Sequence, residues 1–386
     1  MKNLSITLLL VLSFPLFSQE PVGTIPFEIQ NGHIYVQVSI DGSRPLSMAF
    51  DTGARANLLH EDVASQLDFA ITGSQQVSGA SGMTQIQASA NHEIGLGELK
   101  ARGEAFLLMN LDHLGDEEHP LDGVIGGTLL DRYITEINFD ASEIRFYNKS
   151  DFELPKDFQS IEFSLRPFRI PVITGQLNLA NGMKLQGPYL IDTGAALSLR
   201  INSPLVRQEA LEQQVLPNYP YTTNALSSAS TDYVGRLPGF ELLGHEFQGF
   251  PIRMATGKGG VSGSTSVNGI IGLEILKRFN LIFDYADQVM YYQPSQLYDA
   301  AFRENFSGLK LIPVDGMLEI EAIVENSPAS EAGLLVGDKI KTVDGQRNFS
   351  RTTFSDYVHP LRKDVKLEVI REDKTILVSL KPRKII

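Results

Sequence analysis

The 386 residues predict a mainly β chain of two equivalent lobes, followed by a smaller α+β unit. Three observations carry this. Asp-Thr-Gly occurs twice, at Asp51-Thr52-Gly53 and Asp192-Thr193-Gly194, each after an apolar run and each followed by Ala. Gly123-Val124-Ile125-Gly126 and Gly269-Ile270-Ile271-Gly272 form a second matched pair at nearly the same separation. Ile137-Asn138-Phe139-Asp140 and Leu281-Ile282-Phe283-Asp284 form a third, each ahead of a short aromatic strand. Three pairs in one order at a near-constant offset mean a duplicated domain.

Along the chain, residues 1–18 read as an export signal. Lys2 precedes an apolar stretch over residues 4–17, and Ser18 is small enough for the position before cleavage. That stretch falls short of the roughly 20 residues that span a bilayer, so no membrane span is expected in the mature chain. The first lobe is placed at 21–158 and the second at 159–295. Residues 35–40 alternate in period two up to Asp41-Gly42, a hairpin signal. The Gly- and Ser-rich segments at 73–82 and 224–230 read as exposed hairpin tips at corresponding places in the two lobes. Residues 128–133 and 274–279 carry helical spacing, one short helix per lobe. A linker over 294–307, with a short helix at 296–303, leads to the unit at 305–386. There residues 352–361 read as a helix, and 365–371 and 375–380 as paired strands.

Composition narrows the function classes. A net charge of −13 without a basic run argues against nucleic acid or an anionic membrane as partner. No cysteine occurs, which excludes a thiol nucleophile, a thiolate metal site, disulfides and a lipidated Cys after the signal. Periplasmic or extracellular residence is the expectation, with a core that needs no disulfide. The seven histidines show no metal-ligand spacing, and neither metal nor other cofactor is expected. Gly257-Lys258-Gly259-Gly260 lacks the context of a phosphate loop, and residues 112–119 read as a solvated acidic loop.

The triplets carry the chemistry. Two carboxylates brought within about 3 Å cannot both ionise, so they share one proton, one member taking a proton from water while the other donates to a carbonyl oxygen. Gly53 and Gly194 let the facing backbones approach, and Thr52 and Thr193 can pin the two loops together.

These residues resemble the pepsin-like and retroviral-type (retropepsin-like) aspartic proteases, over roughly residues 25–295. The resemblance implies the two-lobed acid-protease β-barrel fold, with Asp51 and Asp192 as the catalytic pair acting on peptide or protein substrates. It also implies a flap at Gly79, Ala80, Ser81 and Gly82, with a lesser counterpart near Ser227 to Ser230. Ala54 and Ala195 stand where secreted pepsins carry Ser, so the ionised carboxylate loses a donor and the working pH is expected nearer mildly acid or neutral. Asn326-Ser327-Pro328-Ala329 and Gly333-Leu334-Leu335-Val336-Gly337-Asp338 resemble a PDZ domain of bacterial type. By position its peptide-carboxylate loop is expected at Gly316, Met317 and Leu318, opposite the 352–361 helix, with a C-terminal peptide as ligand. The rival reading is a non-catalytic peptide-binding or scaffolding protein on the same fold.

Overall fold

The computed structural model describes residues 20–79, 82–112, 114, 120–225 and 228–386. The expected signal segment lies outside them. Strand makes up 46% of the chain against 12% helix, and the N-terminal region holds a six-stranded barrel, so the mainly β class stands.

Duplication is written in the strand pairing. Leu46–Phe50, which delivers the first triplet, runs parallel to Gly123–Ile125, with Phe50 opposite Ile125. Lys184–Ile191 delivers the second and runs parallel to Gly269–Ile271, with Ile191 opposite Ile271. On the far side of each Gly strand lies an antiparallel neighbour, Asn57–His60 in one lobe and Leu199–Ile201 in the other. Short helices follow at Gly127–Leu130 and Leu273–Leu276.

The third matched pair joins the lobes. Ile134–Asn138 and Phe279–Asp284 pair antiparallel, Leu281 opposite Ile137, and Glu143–Tyr147 and Val289–Pro294 flank them. One apolar core runs through both lobes and includes Phe50, Ile125, Ile191, Ile271 and Phe283. Burial on that scale, at about 25 cal/mol per Å² of apolar surface, dominates the folding free energy and needs no disulfide. The C-terminal unit has its own core, built on Ile320, Val343, Phe354, Leu367 and Leu380. Among the described residues no helix is long and apolar enough to cross a membrane.

Two expectations are corrected. Residues 296–303 form no helix. Tyr298 N–H donates to Ser295 O and Ala300 N–H to Leu297 O, both at 3.0 Å, and the turn stops there. Tertiary packing overrides the local propensity. Phe302 stacks on Phe250 at 4.9 Å beneath the Arg278 guanidinium, so the connection is fastened to the second lobe.

The second correction concerns Gly316, Met317 and Leu318. Asp315 and Gly316, at φ 51° and 71°, are the two-residue turn of a hairpin between Leu309–Val314 and Met317–Ile323. Met317–Ile323 is paired on both sides, so the strand these residues begin offers no edge to a peptide. They border a pocket with Ile340, Arg347 and Phe349 instead. The free edge of this sheet is Leu309–Val314, and helix Arg351–Tyr357 packs beside it.

Candidate active site

Each aspartate leaves the end of a buried strand and enters a loop held by the neighbouring Gly strand. Asp51 N–H donates to Ile125 O at 2.9 Å, and Asp192 N–H to Ile271 O at 3.0 Å. The glycine ending each apolar strand is there for close approach. A Cβ on Gly126 would lie 2.5 Å from Ala56 O, and one on Gly272 would lie 2.6 Å from Ala195 O. The next residue closes the loop, as Gly127 N–H donates to Ala54 O at 2.8 Å and Leu273 N–H to Ala195 O at 2.9 Å.

The threonines cross between lobes. Thr52 N–H donates to Thr193 Oγ1 and Thr193 N–H to Thr52 Oγ1, each at 3.0 Å. Each hydroxyl then donates onward, Thr52 to Ile191 O and Thr193 to Phe50 O, also at 3.0 Å. Both side chains are buried. Thr193→Val therefore leaves the Thr52 N–H and the Phe50 carbonyl without their partner, at about 1–3 kcal/mol for each group. Denaturant unfolding should show the loss, and a cost below about 0.5 kcal/mol would mean that the bridge does not hold the lobes.

The bridge brings the two carboxyls together. A Cβ on Gly53 would lie 2.5 Å from Asp192 Cγ, and one on Gly194 would overlap the Asp51 carboxyl. Asp51 Oδ1 accepts from Gly53 N–H at 2.7 Å, and the carboxyl hydrogen-bonds Asp192 and takes the Gly194 N–H. The Gly194 and Ala195 amides favour the ionised form of Asp192, Ala195 N–H donates to the Asp192 main-chain O at 3.3 Å, and Asp192 Oδ1 is buried with no partner among the described residues.

The two carboxyls are not equivalent. Burial raises both pKa values. For Asp192 the charge of Asp51 and the hydrogen bond to it add to burial and lift the value well above the carboxylate range. For Asp51 the Gly53 amide, the Asp192 hydrogen bond and the charge of His33 oppose burial. Both carboxyls are therefore held toward the protonated form, Asp51 being the more readily ionised of the two.

A carboxyl whose pKa is raised on folding binds more protons folded than unfolded. Its contribution is full below the ordinary carboxylate value and is lost as pH rises through the folded value. Asp192→Asn should therefore raise Tm at about pH 7, with the gain shrinking toward about pH 3.5. Calorimetric scans at the two pH values test the sign, and a variant less stable at neutral pH than at acid pH, relative to wild type, would reverse the assignment.

Of the expected flap, Gly79 and Gly82 pair at the tip of a hairpin formed by Gly73–Gly79 and Gly82–Leu96. Ala80 and Ser81 lie outside the described residues, as does Ser227 of the counterpart, whose hairpin closes on Ala225 opposite Ser228. Most of the acidic loop at 112–119 also lies outside them.

Sequence reasoning passed over two supports. Asn57 Oδ1 accepts the Gly126 N–H at 3.0 Å, and its Nδ2 donates to Glu104 Oε2 at 3.2 Å. Glu104 is buried and also receives Thr128 and Arg132. No short motif joins residues so far apart. The other is His33, which follows the Asn31-Gly32 turn and hydrogen-bonds the Gly194 backbone. Its local signal is the Asn-Gly pair, a strong hairpin mark.

Residues 36–129 match a family model described as aspartyl protease. Residues 307–381 match a PDZ domain model. No curated protein matches the chain. The aspartyl-protease match holds Asp51 and ends before Asp192, so the equivalence of the second aspartate rests on the paired strands and the crossed threonines. The protein thus joins an aspartyl-protease-like domain to a C-terminal PDZ domain.

Proposed function

We propose that the protein is an aspartic endopeptidase. A water between the carboxyls gives a proton to Asp51 as its oxygen attacks the scissile carbonyl carbon, and Asp192 gives its proton to the carbonyl oxygen. The tetrahedral intermediate then collapses. Asp51 returns its proton to the leaving nitrogen, the C–N bond breaks, and Asp192 takes its proton back from the hydroxyl oxygen. Neither a metal nor a covalent intermediate enters this scheme. The observation that supports it is the crossed Thr52–Thr193 bridge, beside which each triplet glycine backs onto the partly buried carboxyl of the opposite lobe.

The hairpin ending at Gly79 and Gly82 acts as the flap over a bound chain. The PDZ domain takes a peptide as an added strand along Leu309–Val314, beside helix Arg351–Tyr357, and recruits substrate or regulates access. A mixed peptide library incubated from pH 3 to 8 with wild type and with Asp51→Asn tests the catalytic reading. Cleavage by wild type alone supports it. Silence of a folded wild type across the range moves the protein to the rival class of peptide binders.

A further inference from the structure

The scheme above gives work to two aspartates and none to the imidazole beside them. His33 stands just past the turn Asn31-Gly32, whose φ angles of 51° and 83° are those of a tight two-residue hairpin. The tip of this first-lobe hairpin bears on the second lobe, for a Cβ on Gly32 would come 2.7 Å from the Cβ of Ala196. From there the His33 ring donates to the Gly194 carbonyl. That carbonyl belongs to the peptide group whose N–H, on Ala195, donates to the Asp192 main-chain O at 3.3 Å. One peptide plane is therefore held at one end by His33 and at the other by the backbone of the second triplet. Chained hydrogen bonds of this kind polarise one another.

The duplicated lobe lacks this arrangement. Tyr35 pairs with Ala49, two residues before Asp51, and Val172 pairs with Leu190, two residues before Asp192. Counting back two residues from each, Ile170 occupies the place of His33. Ile170 is buried, apolar and unable to donate. The pseudo-symmetry of the site is broken at this position.

We propose that His33 is a positioning residue for the carboxyl pair, holding the Gly194–Ala195 peptide against Asp192 and so assigning the two aspartates different roles. The assignment rests on the endopeptidase reading for its kinetic consequences but not for its geometry. Two charged groups act on the imidazole, Asp51 from the first triplet and Arg351 from the first turn of the PDZ helix. Burial is the largest influence and, with Arg351, favours the neutral ring, while Asp51 and the Gly194 carbonyl oppose it. The PDZ helix also touches this tip directly, as Thr352 Oγ1 donates to Asn31 Oδ1 at 2.7 Å.

The test compares wild type, His33→Leu, His33→Gln and Asp51→Asn. His33→Leu removes the donor and should lower kcat about 10-fold, with KM changed less than about twofold, because a loosened loop misplaces a reacting group. His33→Gln keeps an amide donor and should restore kcat to within about twofold of wild type. At acid pH, below its lowered pKa, the His33 ring is charged and helps Asp51 ionise; both variants lose that charge, so in carboxyl ¹³C NMR the lower of the two titration steps of the pair should move to higher pH. Unchanged kcat and unchanged titration in His33→Leu would overturn the proposal. So would equal kcat losses in Leu and Gln that merely track a fall in Tm. If wild type cleaves nothing, the endopeptidase reading falls by itself, and the carboxyl titration still decides the role of His33.

Discussion

Asp51→Asn should lower kcat/KM for any cleaved peptide by at least about 10³-fold, the scale of a lost general base. The amide cannot take the proton of the attacking water, and the shared-proton pair no longer exists. Asp192→Asn should do the same by removing the acid. The two losses are not additive, because either substitution destroys one unit, so the double variant should be no slower than the worse single one. Folding should survive. The Asp51 and Asp192 N–H groups keep their Ile125 and Ile271 carbonyl partners, an amide oxygen at position 51 can still accept from Gly53 N–H, and the threonine bridge involves neither carboxyl. Initial rates and Tm measured on the same preparations separate chemistry from collapse. Both single variants retaining more than about a tenth of wild-type activity would remove the pair from the mechanism.

Gly194→Ala is the second substitution with a large expected effect. The added methyl would overlap the Asp51 carboxyl, so the carboxyl or the backbone carrying it must move. Overpacking of this kind costs about 1–3 kcal/mol. Here the shift also displaces a carboxyl from its partner, because each triplet glycine backs directly onto the carboxyl of the opposite lobe. Activity should therefore fall about 10²-fold, as for a reacting group displaced by about 1 Å. Gly182→Ala is the control: at φ 82°, an added methyl there would meet no atom within 4 Å, so the change brings backbone strain without crowding. Rates normalised to the folded fraction should leave the control active and Gly194→Ala impaired. Equal rates in the two variants would show that the close approach of the lobes at Gly194 does not matter.

How far the fold can be read from the residues depends on what is repeated and what is local. The triplets and the apolar Gly strands are legible because duplication prints them twice, and the structure pairs each triplet strand with its Gly strand in parallel. The terminal hairpin is legible because strands Val365–Arg371 and Lys374–Leu380 alternate around a charged turn, Glu372-Asp373, that takes positive φ. The PDZ edge is not legible. Leu309–Val314 and Met317–Ile323 alternate alike, and period two reports which face is buried but not whether a neighbour pairs on either side. The turn at 296–303 reads as helix because Leu297, Tyr298 and Phe302 show helical spacing, yet each packs on the lobes. Around the site, Asn57, Glu104 and Arg132 meet only through the fold, so no local pattern announces them.

The most direct test of a shared-proton pair is the affinity of a peptide mimic carrying a hydroxyl in place of the scissile carbonyl. Titration calorimetry on wild type, Asp51→Asn and Asp192→Asn at mildly acid pH reads it without requiring turnover. The geometry predicts tight binding to wild type and a loss of at least about 10²-fold in each variant, since such mimics draw on interactions made only in the transition state. Equal affinity for all three proteins would contradict the account, because the hydroxyl would then be finding no paired carboxyls at the meeting of the lobes.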